Sequence, residues 1–206
     1  TIVGHDWGGG VAWEGAQVRP EVVESLVIIN APHPAIFRRE LAENPAQRAA
    51  SAYIARLRHP EAEATLSANA YAALAAILLD PLERQGYFDD ADRQAYLAAW
   101  AQPGVLTGAL NYYRAAEFVP QSSSEAPPAT ALERPIVAPT LVIWGEADSA
   151  LLTGNLNGLE RYVPSLAIER VPHASHWIVH ECPDIVNHAI ARFCGLSDLA
   201  PSGGAL

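Results

Sequence analysis

Residues 2–15, IVGHDWGGGVAWEG, constrain the fold more than any other part of the chain. Ile2 and Val3 read as a strand end, and a glycine-rich segment with helical spacing follows at once, so the chain turns abruptly from strand to helix. Asp6 stands at the apex of that turn, with Gly4 two residues before it and Gly8 two residues after. A turn this sharp holds its apex residue in a strained backbone conformation, tolerated mainly where a site needs it. Small residues at the two flanking positions keep strand and helix from colliding, and the helix N-terminus favours an anionic apex carboxylate. The spacing is that of the nucleophile elbow, G-x-S-x-G, with Asp in the serine position. A helix N-cap followed by tightly packed glycines is the competing reading of the same residues.

The rest of the chain supplies a sheet for such a turn. SLVIINAP, residues 25–32, is a continuous apolar run between turn formers, the pattern of a strand buried on both faces. With the helix ending near Arg19 and Pro20 it makes a strand–helix–strand unit, which implies parallel pairing through a right-handed crossover. Residues 35–131 are rich in Ala, Leu, Arg and Glu with helical spacing, as in AYAALAAILLDPLE, and contain nothing resembling a strand. That stretch reads as a helical insertion closed by a Pro/Ser-rich connector, VPQSSSEAPPAT. Strands resume at APTLVIWGEAD, 138–148, and LAIERVP, 166–172. A helical segment is expected around LLTGNLNGLERYVP between them, and a final helix from Pro183 to Cys194. The order predicts an α/β protein with a parallel sheet. Its core covers 1–34 and 132–195, a helical lid covers 35–131, and a flexible tail covers 196–206.

In open parallel sheets, ligands bind beyond the carboxyl ends of the strands. Three polar groups fall there in the order acid, acid, histidine: Asp6, Asp148 in WGEADSAL, and His176 in VPHASHWIVHECP. Taken singly, Asp148 is a strand-end turn residue and His176 a core histidine. His173, His176 and His180 also suggest a metal cluster, which ranks low because no carboxylate or cysteine partner has convincing spacing. Together, the three groups match the chain order Ser…Asp…His of the elbow's triad.

Charge and composition remove other classes. Thirteen basic against 23 acidic residues leave a net charge of −10, which argues against nucleic-acid or anionic-membrane partners. Cys182 and Cys194 form no disulfide framework and suit a reducing, cytoplasmic setting. No apolar run approaches the ~20 residues of a membrane span. The chain opens with Thr1 directly in what reads as the end of a buried strand, TIVG, and has no methionine, so earlier sequence is expected to precede it.

These motifs resemble the α/β-hydrolases that use an aspartate nucleophile, the epoxide hydrolases and haloalkane dehalogenases, over about residues 1–194. GHDWGG is similar to their elbow, and NAPHP resembles the exit from the following strand toward the lid in epoxide hydrolases. LNYYRA, 110–115, and SAYIARLRHPEAE, 51–63, resemble the segments carrying a pair of lid tyrosines, although Arg56 and Arg58 stand where the family commonly has bulky or amide side chains. The resemblance implies an α/β-hydrolase fold with an inserted all-helical lid. It implies Asp6 as nucleophile, His176 as general base, Asp148 as its orienting acid, and Tyr113 and Tyr53 as lid donors, with Tyr112 the neighbouring candidate. It also implies an oxyanion hole from the Trp7 backbone N–H and a second donor on a loop before Thr1, without which the piece is expected to be inactive. No cofactor or metal is implied; the partners are a small apolar epoxide, or a halogenated compound, and water. A dehalogenase with the same nucleophile, of haloalkanes or haloacids, and a non-catalytic binding protein of this fold are the alternatives.

Overall fold

The computed structural model describes residues 1–116 and 134–196. The VPQSSSEAPPAT connector and all of the tail except Leu196 lie outside the described residues. The chain divides into two compact units, Thr1–Ser51 with Phe118–Leu206, and Ala52–Glu117.

The first unit is built on a parallel sheet of four strands in the order β1 (Ile2–His5), β2 (Leu26–Ile29), β3 (Thr140–Gly145) and β4 (Leu166–Val171). Register places the strand ends on one edge: His5 pairs with Ile29, Ile29 with Ile143, and Gly145 with Val171. Helix α1 (Trp7–Val18) crosses from β1 to β2 and buries Ala12, Trp13 and Ala16. Further on come α2 (Pro34–Glu43) and α3 (Pro45–Ala50). Every residue of β2 and β3 is buried, as the unbroken apolar runs require when both faces of a parallel sheet are covered. Alternation sends Val27, Ile29, Leu141 and Ile143 to one face, where they pack with Val171, Val186 and Ala189.

The segment between β3 and β4 departs from the helix expected there. It forms two short 3₁₀ turns, Thr153–Leu156 and Leu159–Arg161, separated by Gly158 at φ 81°. Gly154, Asn155, Asn157 and Gly158 are poor helix formers in close succession, and apolar periodicity alone does not outweigh them. After β4 come a one-turn helix, α9 (Ile178–Glu181), and α10 (Pro183–Phe193). Gly195 at φ 69° and a Leu196 N–H bond to the Ala191 carbonyl (2.8 Å) end α10 in a left-handed cap.

The second unit is helical: α4 (Tyr53–Leu57), α5 (Ala62–Leu78, broken by a kink at Ala68, Asn69, Ala70 and Tyr71, the last three at positive φ), α6 (Asp80–Arg84), α7 (Asp90–Trp100) and α8 (Val105–Ala115). Asp89 starts α7 with a reciprocal capping box through Asp92. The Arg114 guanidinium grips both oxygens of Glu63 at 2.6 Å, tying α8 to α5, and holds the Glu63 carboxyl at about 2. Arg58 bonds the Arg114 carbonyl (3.4 Å), so a residue that departs from the family pattern joins α4 to α8. No helix among the described residues is long and apolar enough to cross a membrane.

Candidate active site

β1 ends at His5 and α1 begins at Trp7, which leaves Asp6 alone at the apex with φ 51° and ψ −124°. Such a conformation costs a non-glycine residue about 1–3 kcal/mol and survives only where its surroundings over-determine it. Here the Asp6 N–H donates to the Ile29 carbonyl (3.3 Å), and the Asp6 carbonyl accepts from the Gly10 N–H (3.0 Å). Gly4 is required: a Cβ there would lie 2.6 Å from the Gly8 carbonyl carbon and 2.7 Å from the Gly9 nitrogen. The second steric demand falls on Gly9 rather than on Gly8, where it was expected. A Cβ at Gly8 meets nothing within 4 Å, whereas one at Gly9 would collide with the Ala31 methyl. One step along the helix turns the side-chain direction from solvent to the β2 exit, and Gly8 is exposed while Gly9 is buried.

The three strand-end groups meet. His176 Nδ1 lies 2.8 Å from Asp148 Oδ2, and its Nε2 lies 3.3 Å from Asp6 Oδ1. Exposure falls along the line, from 40% for the Asp6 side chain through 18% for His176 to 0% for Asp148, so Asp6 is the most open of the three and Asp148 is closed off. Burial disfavours charge on the His176 ring, but the hydrogen bonds and charges of Asp148 and Asp6 outweigh it and raise the ring to about 10. Burial likewise pushes both carboxyls up, and the bond and charge of His176 more than offset this, leaving each below its ordinary range. At neutral pH the arrangement is carboxylate–imidazolium–carboxylate. The Trp7 backbone N–H also bonds the Asp6 carboxylate and helps to hold it ionised.

These directions set a pH dependence of folding. The raised histidine contributes stability that is complete below its ordinary value of 6.5 and is lost as pH climbs through about 10. The lowered carboxyls contribute stability that is present above their ordinary value of 3.8 and is lost as pH falls through their folded values. The thermal midpoint is therefore expected to decline between pH 6.5 and 10, and the His176→Gln protein to show a flatter alkaline limb. Melting curves across that range check both.

Two groups that hold this line have no sequence signal of their own. Asn30, at φ 38° just past β2, is fully buried; its Oδ1 accepts from the Gly145 N–H (2.7 Å). Its Nδ2 donates to the Gly145 carbonyl (3.2 Å) and to Asp148 Oδ2 (2.9 Å), the oxygen that also faces His176. Asp148 Oδ1 accepts the Ala150 and Leu151 N–H groups at 2.8 and 2.9 Å. Gln47, also buried, bonds the Leu152 N–H (3.0 Å) and the Ala150 carbonyl (2.7 Å), so the loop after Asp148 is fixed from α3.

His5 Nε2 lies 2.8 Å from the His176 carbonyl, and its ring centroid is 4.9 Å from that of His176. Burial and the His176 charge lower His5, so it is neutral and its Nε2 carries the proton donated to that carbonyl. His173 is near Cys182 (3.6 Å), and among the described residues no group of three His, Cys, Asp or Glu side chains is placed to hold a metal. Within the helical unit, the rings of Tyr53 and Tyr113 meet edge to face with centroids 6.2 Å apart, whereas Tyr112 is 47% exposed. Tyr113 is thus the register that pairs with Tyr53.

Residues 1–183 match the family described as the alpha/beta hydrolase fold, the class that the sheet order and strand-end triad define. The chain is 40% identical over 194 residues to the AB hydrolase superfamily protein YfhM of Bacillus subtilis, covering 93% of this chain and 64% of that protein. It is 32% identical over 200 residues to human epoxide hydrolase 4, covering 94% and 52%. The epoxide hydrolase of Bacillus megaterium, solved with an inhibitor, superposes with a TM-score of 0.86 at 33% identity over 95% of this chain and 69% of that one. The chain belongs to the epoxide hydrolase family of the α/β-hydrolase superfamily. It spans 64% and 52% of the lengths of these two curated relatives.

Proposed function

We propose that the protein opens epoxides to vicinal diols through a covalent ester on Asp6. The observation that carries this reading is the carboxylate at the strained apex, 3.3 Å from a histidine that is itself held by a buried acid. Attack by serine on a saturated carbon would leave an unactivated ether, a dead end; attack by a carboxylate leaves an ester that water can cleave. Asp6 Oδ1 forms a bond to an epoxide carbon as the ring C–O bond breaks, and the electron pair goes to the ring oxygen. The family resemblance gives Tyr53 and Tyr113 the role of hydrogen-bond donors to that oxygen, and the proton it finally keeps comes from the His176 imidazolium. Esterification also removes the Asp6 charge, one of the two anions that raise His176. The ring is left neutral and basic when a base is needed. His176 then takes a proton from water, hydroxide adds to Asp6 Cγ, and the Trp7 N–H stabilises the oxyanion. Collapse releases the diol and restores the carboxylate–imidazolium pair, so charge and protons balance over the cycle.

A dehalogenase would use the same nucleophile but releases halide, which calls for indole or amide N–H donors rather than two phenols. The Tyr53–Tyr113 pair and the names of the relatives favour the epoxide. Incubating the full-length protein with styrene oxide, and separately with 1-bromobutane, discriminates the two. The diol is expected from the first and no bromide from the second; bromide without diol would reverse the choice.

A further inference from the structure

The backbone around His176 is held without a regular element. β4 ends at Val171 and α9 begins at Ile178, so His176 sits in a connecting loop. Three backbone groups of that loop are nevertheless bonded to side chains. The Ser175 N–H donates to Glu181 Oε2 (2.6 Å), the His176 carbonyl accepts from His5 Nε2 (2.8 Å), and the Trp177 N–H donates to Ser175 Oγ (3.1 Å). Ser175 Oγ in turn lies 2.5 Å from Glu181 Oε1. An ionised carboxylate only accepts, so the Ser175 hydroxyl has one orientation: its proton points to Glu181 and a lone pair to Trp177. One side chain thereby governs a bond on each side of His176, the first directly and the second through the hydroxyl.

Glu181 is well mounted for this. It closes α9, whose Ile178 is fully buried in the core cluster, and α10 follows two residues later with Val186 and Ala189 in the same cluster. The carboxylate is thus fixed to the packed interior; the loop shares that interior at Ala174, whereas Ser175, His176 and Trp177 beyond it are only half-buried.

We propose that Glu181 is a positioning residue for His176, its carboxylate clamping the loop on both sides of the base. The inference rests on the reading of His176 as the base. In the resting state two carboxylates hold the ring. Once Asp6 is an ester, only Asp148 remains, and a base must stay within about 0.5 Å of its productive position. The clamp bears on hydrolysis of the ester more than on its formation, because only hydrolysis uses the ring after one of its partners has been removed.

The test compares the full-length parent with Glu181→Ala, Glu181→Gln, Ser175→Ala and the Ser175→Ala/Glu181→Ala pair. Single-turnover reactions with styrene oxide, quenched and read by intact mass, give the rates of ester formation and decay. NMR titration follows the His176 ring in the resting protein. In Glu181→Ala, ester decay is expected to slow about 10- to 100-fold, with formation changed less than about threefold, because misplacement of a reacting group by ~1 Å costs that much. The His176 titration is expected to move down as its fit to Asp148 loosens. Ser175→Ala is expected to show a smaller loss, and none beyond Glu181→Ala when the two are combined. Glu181→Gln keeps the size and the bond to the Ser175 N–H, so it reports the same pattern at lower amplitude even if the alanine protein folds poorly. Equal slowing of both steps with an unmoved ring would make Glu181 merely structural and overturn the proposal. If the parent forms no ester at all, the functional reading fails, and the ring titration alone still decides the clamp: a downward shift upholds it and no shift overturns it.

Discussion

The Asp6→Asn protein is expected to fold normally and to lose about 10⁴-fold or more of its epoxide turnover. Asparagine has the same shape and tolerates the positive φ at the apex better than most residues, so the elbow survives. Its amide is not a nucleophile, and no other carboxylate stands at the exposed end of the line, since Asp148 is buried. The substitution also takes one anion from His176, whose ring should titrate below the wild-type value while Asp148 still holds it above the ordinary one. Initial rates of diol formation, with circular dichroism for the fold, check the first part; ring titration checks the second. Turnover within about tenfold of wild type would remove Asp6 from the chemistry.

Gly145→Ala is expected to do comparable damage from a position that touches no substrate. A Cβ at Gly145 would lie 2.6 Å from the Ala174 carbonyl oxygen and 2.9 Å from its carbon, and would collide with the Ser175 carbonyl. These are backbone atoms of the loop that carries His176, and they cannot yield cheaply. The Ala174 carbonyl is bonded to the Ala147 N–H at 2.9 Å, and both Gly145 peptide groups are bonded to Asn30. Overpacking a site this constrained is expected to cost about 3 kcal/mol or more. In a protein of this size that lowers the melting midpoint by roughly 6–12 °C. Whatever folded protein remains has Asp148 and His176 displaced from each other, and a further loss of about 100-fold in turnover is expected. Gly8→Ala is the control: nothing lies within 4 Å of its Cβ, so the same added methyl is expected to leave the midpoint unchanged or to raise it.

The contrast between those two glycines marks how far the sequence could be read. The apolar runs of β2 and β3 are legible because a strand buried on both faces needs almost nothing but apolar residues; Ile2 and Val3 at the start of β1 are instead exposed, and only their β-branched, apolar character marks the strand. The elbow was legible because a carboxylate between glycines at a strand end has few uses. Parallel order followed from the alternation of elements, and from it the placement of Asp6, Asp148 and His176 on one edge. What stayed hidden depends on contacts between residues far apart in the chain. Asn30 meets Gly145 and Asp148 more than a hundred residues later, and nothing within NAPHP distinguishes its amide from an ordinary turn asparagine. The steric demand at Gly9 comes from Ala31, across the crossover from β1 to β2, so counting two residues from the apex picked its neighbour. The segment between β3 and β4 carries two opposed signals, leucines at helical spacing and glycines and asparagines that oppose a helix, and the second prevails as two 3₁₀ turns. Glu181 was invisible for a different reason: its partner is a loop backbone, which has no sequence pattern at all.

The central claim is that Asp6 becomes covalently attached to substrate and that His176 drives its release. The most direct measurement is intact-mass analysis of the full-length His176→Gln protein after incubation with styrene oxide, with peptide mapping of any adduct. Ester formation needs Asp6 as the nucleophile, and without the imidazolium the alkoxide takes its proton from solvent, whereas glutamine cannot activate water. The account therefore predicts that the protein gains the mass of one epoxide, on the peptide containing Asp6, and holds it. A folded protein that binds the epoxide yet gains no mass, or gains it on another residue, would contradict the account.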